Sequence, residues 1–419
     1  MEFLTGRPFF LRNKFARGPV FGHFYVRCYA QLVTRMWKTI PVPLHRCLRI
    51  FPSVPVFVLC AATGTLFGHK NDNSELHLNS GKEIYRAACV ACHGPDGKGT
   101  SETIAGFKRP DTFPDFTRCD QTTPEDNYAW KSVIRDGGPS RGFSPIMPSF
   151  RDALNSDQMD KVIHYLRGFC TEPSWPRGEL NVPRALMTEK AYPEDEVVVT
   201  TALNASGAPG VTNEIVHEQR FGVKNQIEIS VPVNFTDRNR VWYGGFGDAG
   251  LGLKRELFSS FRTGSILSVQ GGVHFPTGNE AHGLGSGTTS FELFAAYDQL
   301  LPAKTFLQFQ GGGELPVDTH RAPQSLFWRT ALGKSFNQNA GLGRLWSPMV
   351  EFVADRDLET GAKTNWDIVP EMQVTLSRRQ HVRANLGVSL PVTNTVGRSP
   401  EVLFYLVWDW QDGKLTQGW

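Results

Sequence analysis

Ile227-Glu228-Ile229-Ser230-Val231-Pro232-Val233-Asn234-Phe235 places an apolar side chain at every second position. Successive side chains of an extended strand point to opposite faces, so this stretch has one apolar face and one polar face. The rhythm recurs where Leu267, Val269, Gly271, Val273 and Phe275 alternate with Ser268, Gln270, Gly272 and His274. It returns at Trp366–Leu376, at Val382–Val392, and in Val402, Phe404, Leu406, Trp408 and Trp410. Several of these runs last about ten residues, the length a tilted strand needs to cross a bilayer, against about 5–6 in soluble sheets. Glycine-rich turns separate them, and Trp or Tyr stands near many ends, where an aromatic girdle would lie. Residues 196–411 hold about ten to twelve such strands, an even number being usual for an antiparallel transmembrane β-barrel. A soluble sandwich also alternates, but with its apolar face turned inward. Strand length, strand number and the leader described below favour the barrel.

Upstream the period changes. Residues 172–195 contain Pro173, Pro176, Pro183 and Pro193 with little periodicity and read as a linker, while residues 75–171 read as a small all-α domain. Ser80-Gly81-Lys82-Glu83 is a capping box ahead of a short helix carrying Ile84, Ala87 and Ala88. A second helix is expected from Thr123, with Pro124 at its first position, to Gly137-Gly138. A third starts near Ser156 and sets Met159, Val162, Ile163, Leu166 and Phe169 on one face. Three short helices with long loops bury little by themselves, so something must fill their centre. Residues 412–419 follow the last clear strand as a tail.

Cys89-Val90-Ala91-Cys92-His93 supplies that filling. Two thiols three positions apart can each add to a vinyl group of one haem, and the adjoining histidine then falls beneath the iron. Zinc would want a second close cysteine pair, and Cys119 and Cys170 are isolated. A redox dithiol would want a βαβ context that is absent. A second axial ligand is expected from a downstream loop, commonly Met or His. Met147, in Gly142-Phe143-Ser144-Pro145-Ile146-Met147-Pro148, is the choice, because prolines on both sides stiffen the backbone that carries the thioether. Met159 and His164 read instead as a core residue and a surface residue, and Lys98 and Arg141 as solvated side chains rather than partners of the haem propionates.

Charge and compartment agree with an exported protein. The chain of 419 residues has a net charge of +3, but residues 1–71 hold ten Lys and Arg against the single acid Glu2. The remainder carries 34 basic and 40 acidic residues, a balance that argues against nucleic acid as a partner. Arg46 and Arg49 precede the apolar stretch Phe51–Phe67, with small residues at Ala61, Ala62, Thr63 and Gly64, so residues 1–68 read as a bacterial secretory leader, either extended or starting at Met36. A membrane anchor, a transit peptide and a lipoprotein lipidated at Cys60 compete with it. Beyond residue 68 no apolar run is long enough for a helical membrane span. Export would remove Cys28 and Cys47 with the leader and put Cys119 and Cys170 in an oxidising space, where they can form a disulfide or stay as two separate thiols.

Residues 80–171 resemble a class I mono-haem cytochrome c. The resemblance lies in the helix into Cys89–His93, in Gly94-Pro95-Asp96-Gly97-Lys98-Gly99, in Met147-Pro148 and in the closing helix. The later part resembles the meta-pathway phenol-degradation family of outer-membrane channel proteins, through Gly247-Asp248-Ala249-Gly250-Leu251-Gly252-Leu253-Lys254 and Pro276-Thr277-Gly278-Asn279. Trp175-Pro176-Arg177-Gly178-Glu179-Leu180-Asn181 into Thr188-Glu189-Lys190 looks like the joint of cytochrome–barrel fusions. Together these imply one covalent haem c in a periplasmic domain attached to an outer-membrane barrel, with membrane lipid around it and a periplasmic redox protein as partner. The expected role is electron transfer rather than catalysis. The alternatives are a solute channel with a haem gate or sensor, and a haem enzyme acting on a small oxidant.

Overall fold

The computed structural model describes residues 78–172, 174–204, 209–337, 345–411 and 413–419; the leader, with Met36, Cys28, Cys47 and Cys60, lies outside them. Among the described residues six α-helices come first: α1 Gly81–Ala88, α2 Val90–His93, α3 Glu102–Ala105, α4 Cys119–Thr122, α5 Asn127–Asp136 and α6 Ser156–Arg167. The capping box at Ser80 and Glu83 is formed, and a second one, Asn155 with Gln158, starts α6. The helix expected from Thr123 begins later. Asp126 is its cap, accepting from the Ala129 N–H, because a carboxylate satisfies a free helix N–H better than a threonine that already bonds the Cys119 carbonyl. α1 crosses α6 so closely that a Cβ on Gly81 would lie 2.0 Å from the Lys161 carbonyl oxygen, which makes Gly81 obligatory. Ile84, Tyr85, Ile134, Met159, Val162, Ile163 and Leu166 form the core between the helices.

Fourteen strands follow. They are β1 Glu196–Asn204, β2 Gly210–Phe221, β3 Asn225–Arg238, β4 Val241–Phe246, β5 Ala249–Ser260, β6 Ser265–Phe275 and β7 Ser290–Leu301, then β8 Thr305–Pro316, β9 Ser325–Lys334, β10 Phe336–Asn337, β11 Leu345–Asp357, β12 Asn365–Thr375, β13 Val382–Pro391 and β14 Glu401–Asp409. β4 only extends β3 as a hairpin and β10 only adds two residues beside β11. The other twelve pair antiparallel with their neighbours, and β14 pairs with β1, so the sheet closes into a twelve-stranded barrel with no free edge.

The faces decide between barrel and sandwich. On β3, Gln226 and Ser230 are buried while Ile229 and Phe235 are exposed; on β11, Ser347 and Glu351 are buried while Trp346 and Phe352 are exposed. Leu251, Leu253, Leu293, Leu332, Leu386 and Phe404 likewise point outward. An apolar outer wall around a polar interior is the reverse of a soluble sandwich and is what hydrocarbon solvent requires. Exposed Phe221, Phe261, Phe336 and Trp346 mark one end of the wall, and Phe235, Trp242, Phe275 and Phe291 mark the other. At the first of these ends, short turns at 222–224, 261–264 and 302–304 share a rim with the start of β1 and the end of β14. Longer connections, such as 276–289, occupy the other rim.

The Pro-rich stretch 172–195 joins the two parts, and its second half runs through the barrel interior. Val182, Arg184, Ala185, Thr188, Lys190, Ala191, Tyr192 and Glu194 are all buried. This strap has no ladder of its own, so its backbone bonds to side chains of the wall. The N–H groups of Leu186, Thr188, Ala191 and Glu194 donate to Glu371, Glu351, Asp298 and Gln226, and the Glu189 N–H donates to Gln310. Asn385 and Tyr405 donate to the Arg184 carbonyl, Arg329 to that of Met187 and Ser268 to that of Ala191. The Arg184 guanidinium pairs with Glu196 at 3.1 Å and Glu218 at 3.0 Å, and Glu189 pairs with Lys254 at 3.6 Å. Every one of the twelve barrel strands thus contributes at least one polar partner to residues 184–194.

Removing one member of a buried ion pair leaves its partner desolvated and uncompensated. Arg184→Ala is therefore expected to destabilise the folded barrel by about 3–5 kcal/mol. Lowering of the temperature at which the detergent-folded protein changes gel mobility measures this. Adding Glu218→Gln should restore part of the loss.

Candidate haem-attachment site

The site is built from the chain reversal that follows α1. Tyr85 ends the buried face of that helix, and its hydroxyl donates to the Gly94 carbonyl at 2.6 Å, tying the helix to the turn beyond it. Burial raises the phenol above its ordinary range. In α2 the His93 N–H bonds the Cys89 carbonyl at 2.9 Å, which winds Cys89, Cys92 and His93 onto one turn. The next six residues double back: the Gly99 N–H donates to the His93 carbonyl at 2.8 Å and the Thr100 N–H to the Cys92 carbonyl at 2.9 Å. That reversal needs left-handed backbone at Gly94, Gly97 and Gly99, with φ of 72°, 79° and 93°, and a Cβ on Gly99 would strike Phe113 at 2.8 Å. Arg109 then closes the loop with a 2.6 Å bond to the Thr100 carbonyl.

His93 lies between Phe113 and Phe116, at ring-centroid distances of 5.1 and 5.0 Å. Burial pushes its imidazole down to about 4, so it is neutral at pH 7 and able to donate a nitrogen lone pair to a metal. Its Nδ1 is buried without a protein partner. Burial, then the neighbouring Cys92, pushes the Cys89 thiol up to about 11. Cys89 and Met147 both pack against the helical core. The Met147 loop is short and braced: the Gly138 N–H donates to the Met147 carbonyl at 3.0 Å, and the Met147 N–H to that of Ser144 at 3.3 Å.

Arg141 departs from its expected solvated position. It is 4% exposed, and its Nε and Nη1 have no hydrogen-bond acceptor among the protein atoms. Two thiols on one turn, a neutral half-buried imidazole, a thioether on the same core and buried guanidinium N–H groups able to meet carboxylates form a donor set that fits haem c. Lys98 and His164 are exposed and Met159 belongs to the core. Among the described residues no three His, Cys, Asp or Glu side chains gather in metal-binding geometry. The aromatic bracket of Phe113 and Phe116 and the burial of Arg141 had no signature in the sequence, because both come from loops without periodicity.

Cys119, at the start of α4, and Cys170, just after α6, are bonded to each other with Cα atoms 5.2 Å apart. The loop they close spans 51 residues and contains α5, the Met147 loop and α6. Replacing both with Ser should cost the helical domain about 4 kcal/mol through the unfolded chain. A lowered unfolding midpoint and the disappearance of a Cys119–Cys170 peptide from unreduced digests would show it.

Residues 77–166 match the family model described as Cytochrome C oxidase, cbb3-type, subunit III. Among solved structures the chain is similar to an outer membrane channel from Pseudomonas putida F1, at 14% identity and a TM-score of 0.36, covering 54% of this chain and 99% of that one. It is also similar to the KdgM porin, at 5% identity and a TM-score of 0.34, covering 51% and 98%. The NanC porin matches at 8% identity and a TM-score of 0.35, covering 50% and 97%. No curated protein sequence matches the chain.

Proposed function

We propose that the chain is an electron-transfer protein of the bacterial outer membrane, in which a periplasmic domain holding one covalent haem c stands on a membrane-anchored barrel. The observation that carries the reading is the placement of Cys89, Cys92 and His93 on one turn, with Met147 packed on the same core. When bound, haem supplies a one-electron Fe(III)/Fe(II) couple whose potential follows its axial ligands and burial. In this assignment Cys89 and Cys92 would anchor the group, His93 and Met147 would be its ligands, and Arg141 would meet a propionate. The helical domain packs on the rim that carries the short turns and both ends of the barrel sheet, which in bacterial barrels is the periplasmic side. A periplasmic redox protein is the expected partner. The strap supports an anchor over an open channel, because residues 184–194 engage every strand of the wall. The braced Met147 loop supports a carrier over a haem enzyme, which would need an open coordination position.

Two measurements test this. Denatured wild type should retain haem-linked peroxidase staining on a gel, and Cys89→Ala with Cys92→Ala should lose it; loss of haem from the wild type in acid acetone would refute covalent attachment. Met147→Ala should lower the reduction potential and let the reduced protein bind carbon monoxide, because Met ligation raises potential and closes the iron. A wild type that already binds carbon monoxide stoichiometrically would point to an enzyme instead.

A further inference from the structure

The barrel reaches back to the loop that carries Met147. Arg379, in the turn between β12 and β13, is 6% exposed. Its Nη2 donates to the Gly142 carbonyl at 2.7 Å, and its guanidinium lies 4.7 Å from the centre of the Phe143 ring. The Arg379 N–H bonds the Gly418 carbonyl at 3.3 Å, which holds the C-terminal tail in the same contact. Gly142 has a left-handed φ of 69°, and a Cβ there would lie 2.6 Å from the Gly418 Cα, so loop and tail touch backbone to backbone. His381 bonds the Lys414 carbonyl at 3.2 Å through Nε2 and Ser377 at 2.9 Å through Nδ1, so the tail and the turn are tied together. From Phe143 the contact passes directly to the thioether loop. The Phe143 N–H donates to the Gly138 carbonyl at 2.9 Å, and the Gly138 N–H donates to the Met147 carbonyl.

We infer that Arg379, with the C-terminal tail, is a positioning residue for the iron's sixth ligand: the barrel clamps the loop at Gly142-Phe143 and so fixes where the Met147 sulfur stands. The inference rests on the reading of Met147 as that ligand. Such a clamp has a physical purpose. A thioether is a weak neutral ligand, and a loop free to swing would exchange it for water. Four residues separate Gly142 from Met147, a short enough path for a hydrogen bond at one end to restrict the other.

The test uses the full-length protein in detergent. Wild type should show the weak far-red absorption band of thioether-ligated ferric haem and, when reduced, should be inert to carbon monoxide. Arg379→Ala should lose that band, lower the reduction potential and become reactive to carbon monoxide, while keeping its haem stain and the barrel's heat-dependent gel shift. Arg379→Lys, which keeps a cation but not the planar fork, should lie between the two. Gly142→Ala drives a Cβ against Gly418, breaks the contact from the loop side and should reproduce Arg379→Ala. Unchanged band, potential and ligand inertness in both Arg379→Ala and Gly142→Ala would overturn the clamp alone. A haem-stained wild type without the band would overturn the Met147 reading, and the clamp with it.

Discussion

A peptide N–H that leaves water must find an acceptor, and inside this barrel the acceptors are side chains of the wall. Residues 184–194 form neither helix nor strand, so each buried N–H would otherwise be left unpaired at a cost of about 1–3 kcal/mol. Glu351, Glu371, Asp298, Gln310 and Gln226 meet that demand from five different strands. The dependence is mutual. Those carboxylates and amides sit in an interior that needs donors, and Arg184, Lys190, Lys254 and Arg383 supply the positive charge around Glu189, Glu194, Glu196 and Glu218. Strap and wall therefore each complete the polar chemistry of the other.

The strap also fixes how the helical domain stands on the barrel. Just before the chain enters the lumen, the Gly178 N–H bonds the Thr123 carbonyl at 2.7 Å and Glu179 accepts from the Asn127 N–H at 3.2 Å, so the strap begins as part of the helical domain's surface. Three rim contacts extend the attachment. Arg220 at the end of β2 bonds the Asp120 carbonyl, Lys304 lies over the Tyr128 ring, and Arg379 holds Gly142. A free tether would leave the domain to sample a volume set by chain length. Here it has one seat.

The sequence carried the barrel because alternation is a local property. Each strand shows its wet and dry faces within about ten residues, as Gln226, Ser230 and Ile229 do on β3, and the turn of Cys89–His93 is equally local. The seat and the strap were illegible for the opposite reason. Arg184 meets Glu218 across 34 positions and Tyr405 across 221, and no window of sequence contains such pairs. A hint did exist: Glu351 and Glu371 put carboxylates on the inward face of their strands, and a carboxylate on an inward position needs donors from somewhere. Arg141 shows the same limit at the site itself. A basic residue in a glycine-rich loop reads as solvated until the loop is folded over it.

The closed sheet gives these long contacts their rigidity. Since β14 pairs with β1 along nine residue pairs, no strand can slide without breaking the ring, and the turn at 376–381 inherits that fixity from β12 and β13. Arg379 projects from this turn toward the loop of the thioether. On the clamp proposed above, the position of the Met147 loop would depend on barrel register as well as on packing among the helices. A helical domain released from its barrel would keep the turn that carries Cys89, Cys92 and His93 but would lose the Arg379 contact to Gly142. Under the proposed assignment the two ligands would differ in kind: the histidine is fixed by local winding, and the methionine loop is held in addition by a contact from the barrel.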